Sequence, residues 1–345
     1  MTDKLITSIY EVTKNFKDPI TNIKLDQNNK NINIVCKNGN ANISLDIDPK
    51  FQKKYQNLII ALKNSIQNIE NIASVNVVLT SEKDPKRDPV KQFKINAKNI
   101  IAIASGKGGV GKTTFAVNYV VALKKIGYKV GILDADIYGP NVPRMMGISD
   151  KPQFNNNNKL IPLKKYDVKC MSIGFLISDD TPTIWRGPMI IKALEQMYSG
   201  VEWGELDYLI IDLPPGTGDV QLTLAQNSNL SGSIIISTPQ EVALIDVRKG
   251  INMFNKVNIP ILGIVENMSY FICDSCNQMH EIFSSGRVKK EAEKFKIDFL
   301  GKLPINKNLR IQSDEGRPVC IADSNNDIAN VFSSIAQAVH KKLTN

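Results

Sequence analysis

The chain has 345 residues, which suits one large domain and a small one. Hydrophobic residues make up 42% and charged residues 22%, ordinary values for a soluble globular protein, and no apolar run approaches the roughly 18 residues that would suggest a membrane-spanning helix. The net charge of +9 permits acidic partners without demanding them, and the five cysteines, an odd number, argue against a disulfide framework.

The first stretch, MTDKLITSIYEVTK, lacks the basic start, apolar core and cleavage site of a signal peptide, so the expected address is the cytoplasm. LITSIYEVTKNF has helical spacing. NINIVCKNGNANISLDI alternates on both sides of Asn38-Gly39 and predicts a hairpin. An amphipathic helix, YQNLIIALKNSIQNI, and a strand, ASVNVVLT, complete a small α+β domain over residues 1–82. Residues 83–98, KDPKRDPVKQFKINAK, carry six Lys/Arg against two Asp and two Asp-Pro steps, the composition of a basic linker.

Residues 99–345 change pattern. NIIAIAS, YKVGILD, VKCMSIGF, DYLIIDLP, GSIIIST, IPILGIVEN and IDFLGKLP alternate with helical stretches. Several are apolar without alternation, as strands buried on both faces of a parallel sheet are. The prediction is an α/β domain with a doubly wound, mostly parallel sheet. The last stretch, DIANVFSSIAQAVHKKL, reads as an amphipathic helix packed on that sheet rather than lying on a membrane.

Between the first of these strands and the next helix lies SGKGGVGKTT. Gly106 to Thr113 fits G-x-x-x-x-G-K-T, a P-loop. Glycines let backbone N–H groups wrap a phosphate, and the helix start adds positive partial charge. The nucleotide-binding set is Gly106, Lys107, Gly108, Gly109, Val110, Gly111, Lys112, Thr113 and Thr114. Lys112 is expected on the β and γ phosphates of ATP, and the Thr113 hydroxyl on Mg²⁺. Two later strand ends carry acids, where ligands of open α/β sheets bind. Asp212 is expected to hold Mg²⁺, Asp136 to orient the attacking water, and Asp134 to be structural. Gly216 would offer its N–H to the γ-phosphate, and Asp219 is either a reporter of nucleotide state or a helix N-cap. Asn267 is either a turn residue or a reader of the base.

Lys107 stands at an open position of the motif, as an exposed lysine or as a cation reaching a phosphate. The form K-G-G-x-G-K-T-T resembles the deviant Walker A signature of MinD/ParA-type ATPases, which dimerise face to face around nucleotide. The resemblance implies that Lys107 touches the partner's nucleotide, and with Lys112 and Asp136 it completes the catalytic candidates. It also implies that Asn267 contacts adenine.

Cys273 and Cys276 form a lone C-x-x-C six residues after Asn267. A thioredoxin-type pair would open a helix, which CDSCNQMHEIF does not obviously do. His280 would be a third zinc ligand at unusual spacing, and structural zinc takes four. A two-fold dimer doubles the pair to Cys₄, the usual ligand set of a [4Fe–4S] cluster. Cys36, Cys170 and Cys320 read as packing thiols.

The stretches GKGGVGKTT, DADIYGPNVPRMMG, WRGPM, YLIIDLPPGTGD, STPQEVAL and ENMSYFICDSCNQMHEIF together resemble the Mrp/ApbC-type iron–sulfur cluster carriers. The resemblance implies slow ATP hydrolysis, a homodimer bridged by the cluster, an upstream cluster scaffold, and delivery to apo-proteins, with no nucleic acid or membrane partner. It leaves Arg186 of WRGPM as either a dimer contact or a phosphate contact. Residues 1–82 resemble the small iron–sulfur-assembly-type domain fused to many such carriers, with KDPIT at Lys17–Thr21 where that domain usually has Asp-Pro-Glu. Two other functions share the P-loop. A partition or positioning ATPase on DNA or membrane has no need of the C-x-x-C, and a reductase component usually has its cysteines far apart in sequence.

Overall fold

The computed structural model describes residues 2–26, 31–37, 39–80, 95–176, 187–323 and 326–344. The chain divides into two compact units between residues 90 and 91, inside the segment read as a linker. Most of that segment, up to residue 94, lies outside the described residues. Its last two residues are not linker, because Ala97 already opens a strand and pairs with Leu206.

In the small unit, strands β1 (Ile32–Lys37) and β2 (Asn40–Asp46) pair antiparallel as the expected hairpin does, with Lys37 opposite Asn40. β3 (Ser74–Thr80) lies parallel to β2 on its other side. Alternation sends Ile32, Ile34 and Cys36 of β1 and Ala41, Ile43 and Leu45 of β2 into one core. Helices α1 (Thr2–Thr13) and α2 (Gln56–Gln67) close it with Ile9, Leu62 and Ile66. Asp18 of the KDPIT stretch is a structural acid here. Its carboxylate accepts from the N–H groups of Ile20 and Thr21 at 2.8 and 2.7 Å and from the Tyr55 hydroxyl at 2.7 Å.

The large unit is built on β4 (Ala97–Ala104), β5 (Val130–Asp134), β6 (Leu163–Lys165), β7 (Val168–Ser172), β8 (Leu206–Asp212), β9 (Gly232–Ser237), β10 (Ile261–Glu266), β11 (Phe271–Ile272), β12 (Met279–His280) and β13 (Phe299–Lys302). Eight of them form one sheet in the order β13-β10-β9-β4-β8-β5-β7-β6. All its pairings are parallel except β6 with β7. Every residue of β5 and β9 is buried, which is why those runs do not alternate. β6 escapes the sequence reading because Leu-Lys-Lys has no strand pattern; its lysines instead protect the open edge.

Helix α3 (Lys112–Lys125) follows the P-loop and is buried from Phe115 to Leu123. The C-terminal helix Asp327–Thr344 packs against it, with Phe332 5.6 Å from the Phe115 ring. Its apolar face therefore belongs to the core. Among the described residues no helix is long and apolar enough to cross a membrane. The sheet order brings the carboxyl ends of β4, β5, β8, β9 and β10 to one edge, and there the site assembles.

Candidate functional site: a P-loop and a cysteine hairpin

Residues 107–114, with Ser105, Asp136, Asn141, Met145 and Pro215, line a cleft of about 190 Å³. The P-loop turns through Gly109 and Gly111 at φ +78° and +83°, a conformation that side chains resist. Gly111 has a second reason to be glycine: a Cβ there would lie 2.2 Å from Nδ2 of Asn267. At Gly106 a Cβ would lie 2.3 Å from Cβ of Asp246, on the helix Glu241–Lys256.

Two charged groups organise the cleft floor. Lys112 is 6% exposed, and its ammonium lies 2.7 Å from Oδ1 of Asp212 and 3.8 Å from Oδ2 of Asp136. The Thr113 hydroxyl donates to Oδ2 of Asp212 at 2.7 Å. Asp212 is fully buried and faces both. A hydroxyl and a carboxylate oxygen this close fit a small hard cation, which takes oxygen ligands. Burial pushes the Asp136 carboxyl up, the Lys112 charge opposes it, and the net direction is up. Asp134 is structural. It accepts from the N–H of Asp136 at 3.2 Å, the N–H of Val142 at 3.1 Å and the Ser172 hydroxyl at 3.0 Å, while burial and the Asp212 charge push it up to about 7.

The remaining candidates have more particular placements. Lys107 reaches Oε1 of Gln240 at 3.4 Å within its own chain. The Gly216 N–H donates to the Ser105 carbonyl at 2.9 Å, so a phosphate contact there requires that bond to open. Asn267 is 7% exposed and its amide nitrogen donates to the Val110 carbonyl at 2.8 Å. In this structure it therefore braces the P-loop. The helix Asp219–Asn227 has Gly218 at its N-cap, so Asp219 is not the cap. Arg186 lies outside the described residues.

Sequence reasoning missed Gln221, whose amide donates to the carbonyls of Pro214 and Pro215 at 3.0 and 2.6 Å and shapes the loop after β8. It also missed Gln240. Neither residue type announces such a role; both act through contacts that only the fold creates.

The C-x-x-C lies in a small hairpin. β11 and β12 pair antiparallel, Phe271 opposite His280 and Ile272 opposite Met279. The Cys273 N–H donates to Gln278 O at 3.0 Å, and the Asn277 N–H returns to Cys273 O at 2.9 Å. Both thiols lie at the tip, Cys276 exposed and Cys273 half-buried. The N–H groups of Ser275 and then Cys276 point at the Cys273 sulfur and hold its thiol below the usual range, which favours the thiolate that binds metal. No helix starts there, so the placement is not that of a thioredoxin-type pair. Among the described residues no three His, Cys, Asp or Glu converge as a metal site, so His280 does not complete one with this pair. The paired Ile272 and Met279 stand exposed beside the tip, and Ile282 is exposed beyond the hairpin. Cys36, Cys170 and Cys320 are buried, and burial pushes Cys170 and Cys320 up to about 12.

The iron–sulfur cluster carrier protein of Aquifex aeolicus is 50% identical over 244 residues, 70% of this chain and 67% of its own. That of Pseudomonas fragi is 45% identical over 281 residues, 80% of this chain and 97% of its own. An Arabidopsis thaliana protein named as a mitochondrial iron-sulfur protein required for NADH dehydrogenase is 51% identical over 247 residues, covering 71% and 79%. Among solved structures, a nucleotide-binding protein of Archaeoglobus fulgidus in complex with ADP is similar at a TM-score of 0.60 and 39% identity, over 69% of this chain and 93% of that one. The cell division ATPase MinD of Pyrococcus furiosus shares the fold alone, at a TM-score of 0.53 and 20% identity over 71% and 99%. The family model described as ParA, NUBPL iron-transfer P-loop NTPase, matches residues 96–340, and the chain belongs to that family.

Proposed function

We propose that the protein is an ATP-dependent iron–sulfur cluster carrier. Two copies hold a bridging [4Fe–4S] cluster, as cargo, on Cys273 and Cys276 of each, receive it from an upstream scaffold and pass it to apo-proteins, with slow ATP hydrolysis. The observation that carries the reading is the exposed cysteine hairpin on the same unit as the P-loop, in a chain of the iron-transfer family. Two cysteines at one tip supply half of a Cys₄ set, and two-fold symmetry supplies the rest. Thiols at an exposed tip suit transfer, because an acceptor's cysteines can reach the cargo there.

The nucleotide chemistry follows from the cleft floor. Thr113 and Asp212 would hold Mg²⁺, which would offset the charge of the phosphates. Lys112 lies 2.7 Å from Asp212 and 3.8 Å from Asp136. Phosphate entry draws Lys112 to the β and γ oxygens, because a triphosphate carries more charge than the two carboxylates. That movement frees Asp136, whose raised acidity range suits it to orient water and take up a proton. Lys107 leaves Gln240 for the phosphate of the partner's nucleotide, and the Gly216 N–H leaves Ser105 for the γ-phosphate. Asn267, already against Val110, contacts adenine.

The test is direct transfer. The protein loaded anaerobically is mixed with an apo-protein that needs a [4Fe–4S] cluster, and iron is measured on both after separation. The reading expects iron to move to the acceptor, and none to move from Cys273→Ala, which should not load. A loaded wild type that keeps its iron contradicts the carrier role.

A further inference from the structure

The cysteine loop runs from the end of β10 to the start of the helix Arg287–Phe295, and one buried side chain holds both ends. Glu266, the last residue of β10, is 0% exposed. Its Oε1 accepts from the Ser269 hydroxyl at 2.5 Å and from the Gly286 N–H at 2.9 Å, and its Oε2 accepts from the Val288 N–H at 2.9 Å. The helix has no N-cap side chain of its own, because Gly286 stands at that position. Glu266 takes over the cap from outside, and the positive helix start favours a carboxylate there. Its Ser269 partner also touches the Ser285 hydroxyl at 3.1 Å, tying the two ends of the loop a second time.

The neighbouring residue faces the other way. Asn267 holds the Val110 carbonyl of the P-loop at 2.8 Å, and its N–H is fixed on Ser237 O at 2.7 Å. No flexible joint separates the two residues. The Glu266 carbonyl accepts from the Leu303 N–H at 2.9 Å, and the Ser269 N–H donates to Leu303 O at 3.0 Å. The chemistry proposed above uses none of the Glu266 contacts.

We propose that Glu266 is the positioning residue through which the filling of the P-loop reaches the cysteine loop. A phosphate that resets the peptide at Val110 and Gly111 moves the Asn267 amide. Asn267 and Glu266 share one strand end, so the shift passes to the carboxylate that closes the base of the loop at Ser269 and Gly286. The inference rests on the reading of that loop as the cargo site. By linkage, cargo on the loop changes nucleotide affinity by the same factor.

Amide hydrogen exchange on the full chain, free of cluster, tests this with and without Mg-ADP. Running it at two protein concentrations removes any contribution from self-association. In wild type, ADP is expected to slow exchange across residues 271–284 at least about threefold at both concentrations. In Glu266→Gln and in Ser269→Ala that effect should fall below about 1.5-fold, while protection over residues 106–114 remains and ADP affinity stays within about twofold. Ser269→Ala keeps the test decisive if Glu266→Gln fails to fold. A wild type without the ADP effect, or variants that keep it in full, overturn the proposal. Cluster never enters the measurement, so its outcome is separate from that of the transfer test.

Discussion

Lys112→Ala should cost the large unit stability before any nucleotide is added. In wild type the ammonium stands between a fully buried Asp212 and an Asp136 that is 13% exposed. Its removal leaves Asp212 with the Thr113 hydroxyl and no positive charge in contact. Breaking a buried ion pair from one side typically costs about 3–5 kcal/mol. For a unit of residues 91–345 that corresponds to a fall in Tm of about 6–9 °C. The loss should shrink in acid. Burial and Asp212 raise Asp134, and the Lys112 charge pulls it down, so losing the lysine raises it further. Wild type already keeps Asp134 protonated up to about pH 7, so the added loss sets in above about pH 7, where only the variant's native state still holds that proton, and shrinks below it. Both tryptophans, Trp185 and Trp203, belong to this unit, so fluorescence during urea unfolding follows it alone. Adding Asp212→Asn should recover most of the lost stability without restoring nucleotide binding. A Lys112→Ala variant as stable as wild type, or a double variant no better than the single one, would refute the reasoning.

Three further outcomes are expected. Gly111→Ala must hold φ +83° and find room for a methyl 2.2 Å from the Asn267 amide, so ADP affinity measured by calorimetry should fall at least about tenfold. Lys107→Ala should keep ATP affinity within about threefold while slowing phosphate release by up to about 10³-fold, because its amine meets Gln240 within its own chain; normal turnover removes Lys107 from the mechanism. In the small unit, Tyr55→Phe should cost about 1–2 kcal/mol, read by hydrogen exchange in β1 to β3. Burial alone would raise Asp18, but the N–H of Thr21, the Tyr55 hydroxyl and the N–H of Ile20 together hold it below its ordinary value. A depressed acid stabilises the fold above its unfolded pKa and loses that contribution as pH falls through the folded value, so wild type and Tyr55→Phe should converge in stability below about pH 4.

What the sequence disclosed and what it hid follow a physical division. The P-loop, the Asn38-Gly39 turn and the apolar strands are legible because backbone geometry or burial acts on neighbouring residues. Lys112 and Thr113 beside Asp212 could be expected because the motif and the strand-end rule place both at one edge. The missed features depend on chain segments far apart. Asn267 and Val110 are separated by 157 positions, and nothing local to either says that one braces the other. Gly106 reads as a motif glycine, yet it is also demanded by Asp246 across the fold. β11 and β12 are two residues each, too short for a periodic signal, although they are what presents the cysteines. Glu266 stands at the polar end of the IPILGIVEN run, and only the return of the chain at Gly286 makes it a clamp.

The central claim is that the cysteine pair is half of a site completed by a second copy. Anaerobic reconstitution with iron and sulfide, followed by metal analysis and native mass spectrometry of wild type and Cys276→Ala, tests it most directly. The account predicts about four irons per dimer in wild type and none held by the variant. Iron or zinc bound stoichiometrically by a monomer, or a variant that keeps its cluster, would contradict it.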